Sequence, residues 1–221
     1  ISIIVIIFWI IIPSLSLVIF LLVASHHFGK EDTQFLEIGN SYYYQFLFFL
    51  KGSLIIFTPM YFHFEETISV FKLLLIDNES FYEILNVIET NKILLYGVLI
   101  STLSSIILFT KNFELKKFTI FLDYFSILII NYYFSPLVAF TIYFCFLHSI
   151  RHSISLMSEL DKNDLVNGFQ IFTKKAFPLT ILTAIFCFLG LYLLNNTYNF
   201  DSSILKLIFI GLASLTFPHI L

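Results

Sequence analysis

The stretch FCFLHSIRHS at 144–153 closes a long apolar run and sets two histidines, His148 and His152, four residues apart. On a helix, residues i and i+4 share a face, with side chains about 5–6 Å apart. Two imidazoles so placed can bind one metal ion, as in other helical His-x-x-x-His sites. The same pair is also what incidental polar residues near a membrane surface look like. Ionisable groups within apolar helices are costly and usually functional, which favours the site. Its donors are nitrogens. No Cys or paired Glu stands at a matching helix end, so thiolate zinc and di-iron carboxylate sites are poorly supported, whereas neutral imidazoles suit Fe, Zn or Cu. His26 and His27 are adjacent, about 100° apart on a helix, so they do not both face one ion. Asp32 is the nearest carboxylate able to accept the outer N–H of a ligand histidine, if it is not simply an exposed loop acid. Arg151 either faces the headgroups or pairs with a nearby acid.

These residues sit in a chain of 221 that is 58% hydrophobic and 12% charged, with a mean hydropathy of +0.91. Soluble domains carry about 25% charged residues. So few polar groups cannot cover a water-facing surface, and lipid is the expected solvent. The formal charge of −3 argues against a nucleic-acid partner. Aromatics reach 19%, but a biased codon composition would produce the same excess. Cys145 and Cys187 lie inside apolar runs and read as buried core thiols, not as a disulfide framework.

The elements that must position the histidines are apolar runs near spanning length. Pro13 splits the first, giving helices at about 1–12 and 14–28. Others follow at about 42–62, 92–110, 118–133, 136–150, 176–195 and 203–219, with NYYFSP at 131–136 breaking the longest run before Pro136. Residues 64–91 mix charge with apolar periodicity and suit one or two interfacial amphipathic helices. The expected fold class is therefore all-α: a polytopic membrane helical bundle, one domain over 1–221, with about seven to eight transmembrane helices. The opening ISIIVIIFWIII has neither a Met nor a signal-peptide pattern and reads as the interior of a membrane helix, which predicts an N-terminal part upstream.

Orientation follows from Lys and Arg. Taking alternate loops, one side carries Lys30, Lys111, Lys116, Lys117, Arg151, Lys162, Lys174 and Lys175, and the other Lys72 and Lys92. The richer side is expected to be cytoplasmic. His26, His27, His148, His152 and His219 then share that membrane depth from three helices, and His63 lies opposite. Charged residues are not stacked mid-helix along a path, except for Lys51 and Asp123, and these also read as charges near misplaced helix ends.

HFGKED at 27–32, YFCFLHSIRH at 143–152 and GLASLTFPHIL at 211–221 together resemble the Brp/Blh family of bacterial and archaeal β-carotene 15,15'-dioxygenases, in order and in spacing along the whole chain. The resemblance implies a four-histidine non-haem Fe(II) centre. By position His27 matches the histidine of the family's His-Phe-Gly-x-x-Asp motif, and His148 and His152 match its His-Ser-x-x-His pair. His219 matches a Pro-His near the C-terminus, as ligand or near neighbour. The family's remaining ligand lies in an N-terminal Pro-His-Gly-x-x-Asp motif that this sequence lacks, so the 221 residues alone are expected to hold an incomplete, inactive site.

The implied reaction adds O2 across the central double bond of β-carotene, taken sideways from the bilayer, and releases two retinal molecules for a rhodopsin of the same cell. The implied location is the cell (inner) membrane, with the histidine cluster near the cytoplasmic side. Aromatic faces could stabilise charge on the polyene. Phe28, Tyr143, Phe144 and Phe146 stand beside the motifs, although each also suits packing or lipid contact. Three rivals stand against this. A bis-histidine haem protein would show a Soret band. A membrane desaturase needs more histidine boxes than six histidines supply. A transporter or structural subunit would leave the histidines incidental.

Overall fold

The computed structural model describes residues 2–33, 41–74, 78–111 and 113–220, and side chains there except those of 116 and 217–220. Among the described residues the chain is helical, with no strand. Helices α1 (Ser2–Ile11) and α2 (Pro13–Glu31) meet at Pro13, whose fixed φ suits the first position of the second helix. Next come α3 (Tyr42–Gly52) and α4 (Leu54–Phe62), then the short α5 (Phe64–Leu73) and α6 (Glu79–Thr90). The apolar α7 (Ile93–Thr110) and α8 (Phe118–Tyr133) follow. The third part is α9 (Pro136–Ile142), a π-helical turn at Tyr143–Ser149, α10 (Ile150–Leu160), α11 (Leu165–Asn195) and α12 (Phe200–Ile220).

Among the described residues, four segments are long and apolar enough to cross a membrane: 42–62, 93–110, 136–160 and 165–195. Helices α1 and α8 are apolar but shorter. The break at Pro136 and the paired helices within 64–91 stand where the sequence places them. Two boundaries differ. The helix expected to stop near 150 runs on to Leu160, and the helix expected from 176 starts at Leu165. Residues 151–175, read as a loop because of their charge, are instead mostly a helical hairpin. Gly168 lets α11 close on α10, since a Cβ there would lie 2.2 Å from the Met157 carbonyl oxygen. Cys145 and Cys187 are exposed, not buried. In a chain this apolar, an apolar neighbourhood no longer distinguishes inside from outside.

Helix α2 packs on α1, α3, α4 and α12. Its crossing with α3 is backbone to backbone. A Cβ on Gly29 would lie 1.8 Å from the Phe48 carbonyl oxygen, and one on Gly52 would lie 1.8 Å from that of Ser25. Ser25 and Gly29 form a small-xxx-small face, the kind that lets membrane helices approach closely. Serines join α3 and α7: Ser104 donates to the Leu47 carbonyl at 2.7 Å, and Ser53 and Ser101 share a bond of 2.9 Å. The apolar core runs from Trp9 and Leu17 through Leu54 and Leu94 to Ile127 and Tyr143.

Candidate active site

Three histidines and five charged residues gather where the C-terminal end of α2 meets α3, α8 and the π turn. The His27 ring lies 5.6 Å from that of His148, and the His148 and His152 rings are parallel at 6.3 Å. The wide π turn carries His148, and α10 continues its face to His152. Single π turns of this kind are frequent at functional sites.

Each member of the His148/His152 pair faces a carboxylate through Nδ1. His148 Nδ1 is 3.2 Å from Asp32 Oδ1, and His152 Nδ1 is 3.1 Å from Glu31 Oε2. A histidine held in this way at Nδ1 presents Nε2, and such carboxylate partners fix the ring's orientation and raise its basicity as a ligand. Asp32, which could have been a loop acid, is 2% exposed. Its other oxygen accepts the Tyr143 hydroxyl at 2.7 Å.

A buried carboxylate needs compensation. Lys51 Nζ stands 3.9 Å from both Asp32 Oδ2 and Asp123 Oδ2. Arg151 donates to Asp123 through both terminal nitrogens, at 2.8 and 2.5 Å, and lies 3.7 Å from Asp32 Oδ1. Two acids and two bases thus balance. Burial pushes the Asp32 pKa up, but Lys51, the His148 bond and Arg151 together outweigh it and hold the carboxyl below its ordinary value. Lys51, in the last turn of α3, and Asp123, each 4% exposed, are therefore not isolated charges but parts of one network. Of the two readings for Arg151, the acid pair is the one found.

Aromatic rings enclose the cluster. Phe28 is 4.7 Å from the His148 ring, Phe144 5.9 Å and Tyr143 6.1 Å. Phe146, read alongside them, is 64% exposed and points away from the core. His26 turns to Gln45, at 2.8 Å from its Oε1. His63 joins α4 to α5, with Nδ1 3.8 Å from Glu66. Along the helices it is roughly 18 Å from Lys51, at about 1.5 Å per residue. The side chain of His219 lies outside the described residues, although its backbone continues α12.

An apolar cavity of about 90 Å³ opens from Phe28 and Tyr143 and is lined by α2, α4, α5, α8, α9 and α12. Among the described residues, no group of three His, Cys, Asp or Glu side chains is close enough to hold a metal ion as it stands. The donor chemistry nevertheless fits one, with two carboxylate-anchored imidazoles and a third ring beside them.

The family model for beta-carotene 15,15'-dioxygenase matches residues 1–221. The chain belongs to this family. One relative, named "Beta-carotene 15,15'-dioxygenase", comes from uncultured marine bacterium 66A03. It is 26% identical over 213 residues, covering 96% of this chain and 72% of the relative. No solved structure matches. For this family member, sequence reasoning missed Glu31, the Lys51–Asp123–Arg151 network and the Gly29–Gly52 crossing. Of these, only Ser25-xxx-Gly29 left a local signal; the others needed the packing of α2 against α3, α8 and α10.

Proposed function

We propose that the protein is a membrane-embedded dioxygenase that cleaves the central 15,15' double bond of β-carotene with O2 to give two molecules of retinal. The observation that carries this reading is the anchoring of His148 and His152 by Asp32 and Glu31, beside His27, with the Phe28 and Tyr143 rings that pack on His148 also lining an apolar cavity. Membership of a family described by this reaction supports it. Both oxygen atoms end as the two aldehyde oxygens, so the reaction consumes no external reductant.

His27, His148 and His152 would hold an Fe(II) ion, with His219 as a further ligand or near neighbour. When bound, that ion supplies the activation of O2. The chain's own residues do the rest. Asp32 and Glu31 fix the two rings with Nε2 available. Lys51, Asp123 and Arg151 keep Asp32 in place and neutralised. Phe28, Tyr143 and Phe144 exclude water from around His148 and offer ring faces to a polyene. The substrate reaches them from lipid, and retinal leaves the same way toward a rhodopsin. The Lys/Arg asymmetry of the sequence supports a position for the cluster on the cytoplasmic side of the cell membrane.

The test is pigment extraction from cells that make β-carotene and express the full-length gene product. The wild type should bleach carotene and accumulate retinal. His148→Ala and His152→Ala should stop this with the protein still in the membrane, and His63→Ala should not. Wild-type retinal from His148→Ala, or a Soret band in the purified protein, would refute the assignment.

A further inference from the structure

The apolar cavity starts at Phe28 and Tyr143, the rings packed on His148, and extends from them in one direction. On α2 its wall runs from Phe28 to Phe20, about 12 Å at 1.5 Å per residue. On the π turn and α9 it runs from Tyr143 to Pro136, about 10 Å by the same measure. On α8, Asp123 pairs with Arg151 at the level of the site, and the lining residue Asn131 lies about 12 Å further along. Three helices therefore give one depth, and that depth is of the order of half an extended carotenoid. Ala24 and Ala139, both buried, line the cavity with small side chains and so leave its space open. Leu21, Ile56, Leu137 and Phe140 also line it and are partly exposed, so its side wall reaches lipid.

A second cavity, of about 190 Å³, lies between α7 and α8 against Ser105, Ile106 and Phe121. It is larger, but the rings packed around His148 belong to other residues. Position relative to the chemistry decides between the two, not volume. A polyene cut at its centre must extend about equally on both sides of the reacting bond. One half then needs an apolar slot that begins at the histidines.

We propose that the first cavity receives one half of the carotenoid, aligned with the helices that form its walls. The central double bond sits at the histidine layer and one terminal ring at the Phe20, Met60 and Asn131 end. The inference rests on the carotene-cleaving reading and adds where and how the substrate lies. At about 90 Å³ the cavity has the room of roughly three liquid water molecules, so half a polyene enters only as side chains swing aside. Met60, with its unbranched and adaptable chain, and the partly exposed Phe140 are placed to do so.

The experiment fills the cavity from separate helices with Ala24→Leu, Ala139→Leu and Met60→Phe, and uses Ile106→Phe in the second cavity as control. Full-length protein is purified in detergent from carotene-making cells, with and without a chelator. Bound β-carotene is read from its visible absorption and retinal by chromatography. Each filled variant should retain at least about tenfold less β-carotene in the chelated preparation, with retinal falling in parallel, as overpacking opposes entry. Ile106→Phe should change neither. A variant that fails to reach the membrane is replaced by the other two, which act from different helices. Wild-type carotene retention by the filled variants, or its loss with Ile106→Phe, overturns the inference. Binding that the filled variants abolish, in a wild type that never makes retinal, would keep the cavity and remove the cleavage reading. Undiminished cleavage by the filled variants would do the reverse.

Discussion

Replacing Gly29 with Ala tests whether the α2–α3 crossing sets the histidine geometry. The added Cβ would lie 1.8 Å from the Phe48 carbonyl oxygen and 3.0 Å from the Gly52 nitrogen. Real Cβ contacts do not fall below 3.0 Å, so the two backbones must part by about 1.2 Å at this point. The opposing atoms are main chain, and no side-chain rotation relieves them. His27, Glu31 and Asp32 lie within one turn of Gly29 and move with it, whereas Lys51 belongs to α3 and moves away. Overpacking of this kind costs about 1–3 kcal/mol of stability. A displacement near 1 Å in a catalytic constellation can cost about 100-fold in rate. Gly29→Ala should therefore lower retinal formation per unit of membrane protein by about that factor, with a modest fall in thermal stability in detergent. Gly211→Ala is the matched control, because nothing lies within 4 Å of a Cβ there, and it should be silent. Wild-type retinal from Gly29→Ala would show that the crossing does not position the site.

Asp123→Asn leaves Lys51 and Arg151 facing Asp32 alone. Breaking a buried charge pair in this way should destabilise the protein by about 3 kcal/mol, read from its unfolding transition in detergent. Glu31→Gln removes the anionic anchor of His152 and should lower iron affinity by about 10–100-fold, read as metal content after dialysis against a graded chelator; unchanged content would separate Glu31 from the site. His26→Ala loses one hydrogen bond to Gln45, worth about 1 kcal/mol, and should keep retinal formation, because that ring turns away from the cluster.

Composition alone pointed to lipid as the solvent of this protein. With 12% charged residues and long apolar runs, helices in lipid were the available solution, since a membrane span must satisfy its own backbone polar groups. Local chemistry also placed the breaks at Pro13 and Pro136, because proline disfavours helix at the residue before it, although Pro59 and Pro178 are carried inside α4 and α11. The i, i+4 spacing put His148 and His152 on one face, and the motif around His27 suggested where their neighbour would come from. Tertiary structure decided what sequence periodicity could not carry. Whether Asp32 was a loop acid or a buried partner of His148 depended on α2 ending against the π turn. Whether Lys51 and Asp123 were incidental depended on α3 and α8 facing the same point, and their attraction acts between residues more than 70 positions apart. In lipid, apolar residues face both inward and outward, so hydrophobicity did not mark the inside. That is why Cys145 and Cys187 were read as buried. Close packing did mark it, through the two glycines at which α2 and α3 touch.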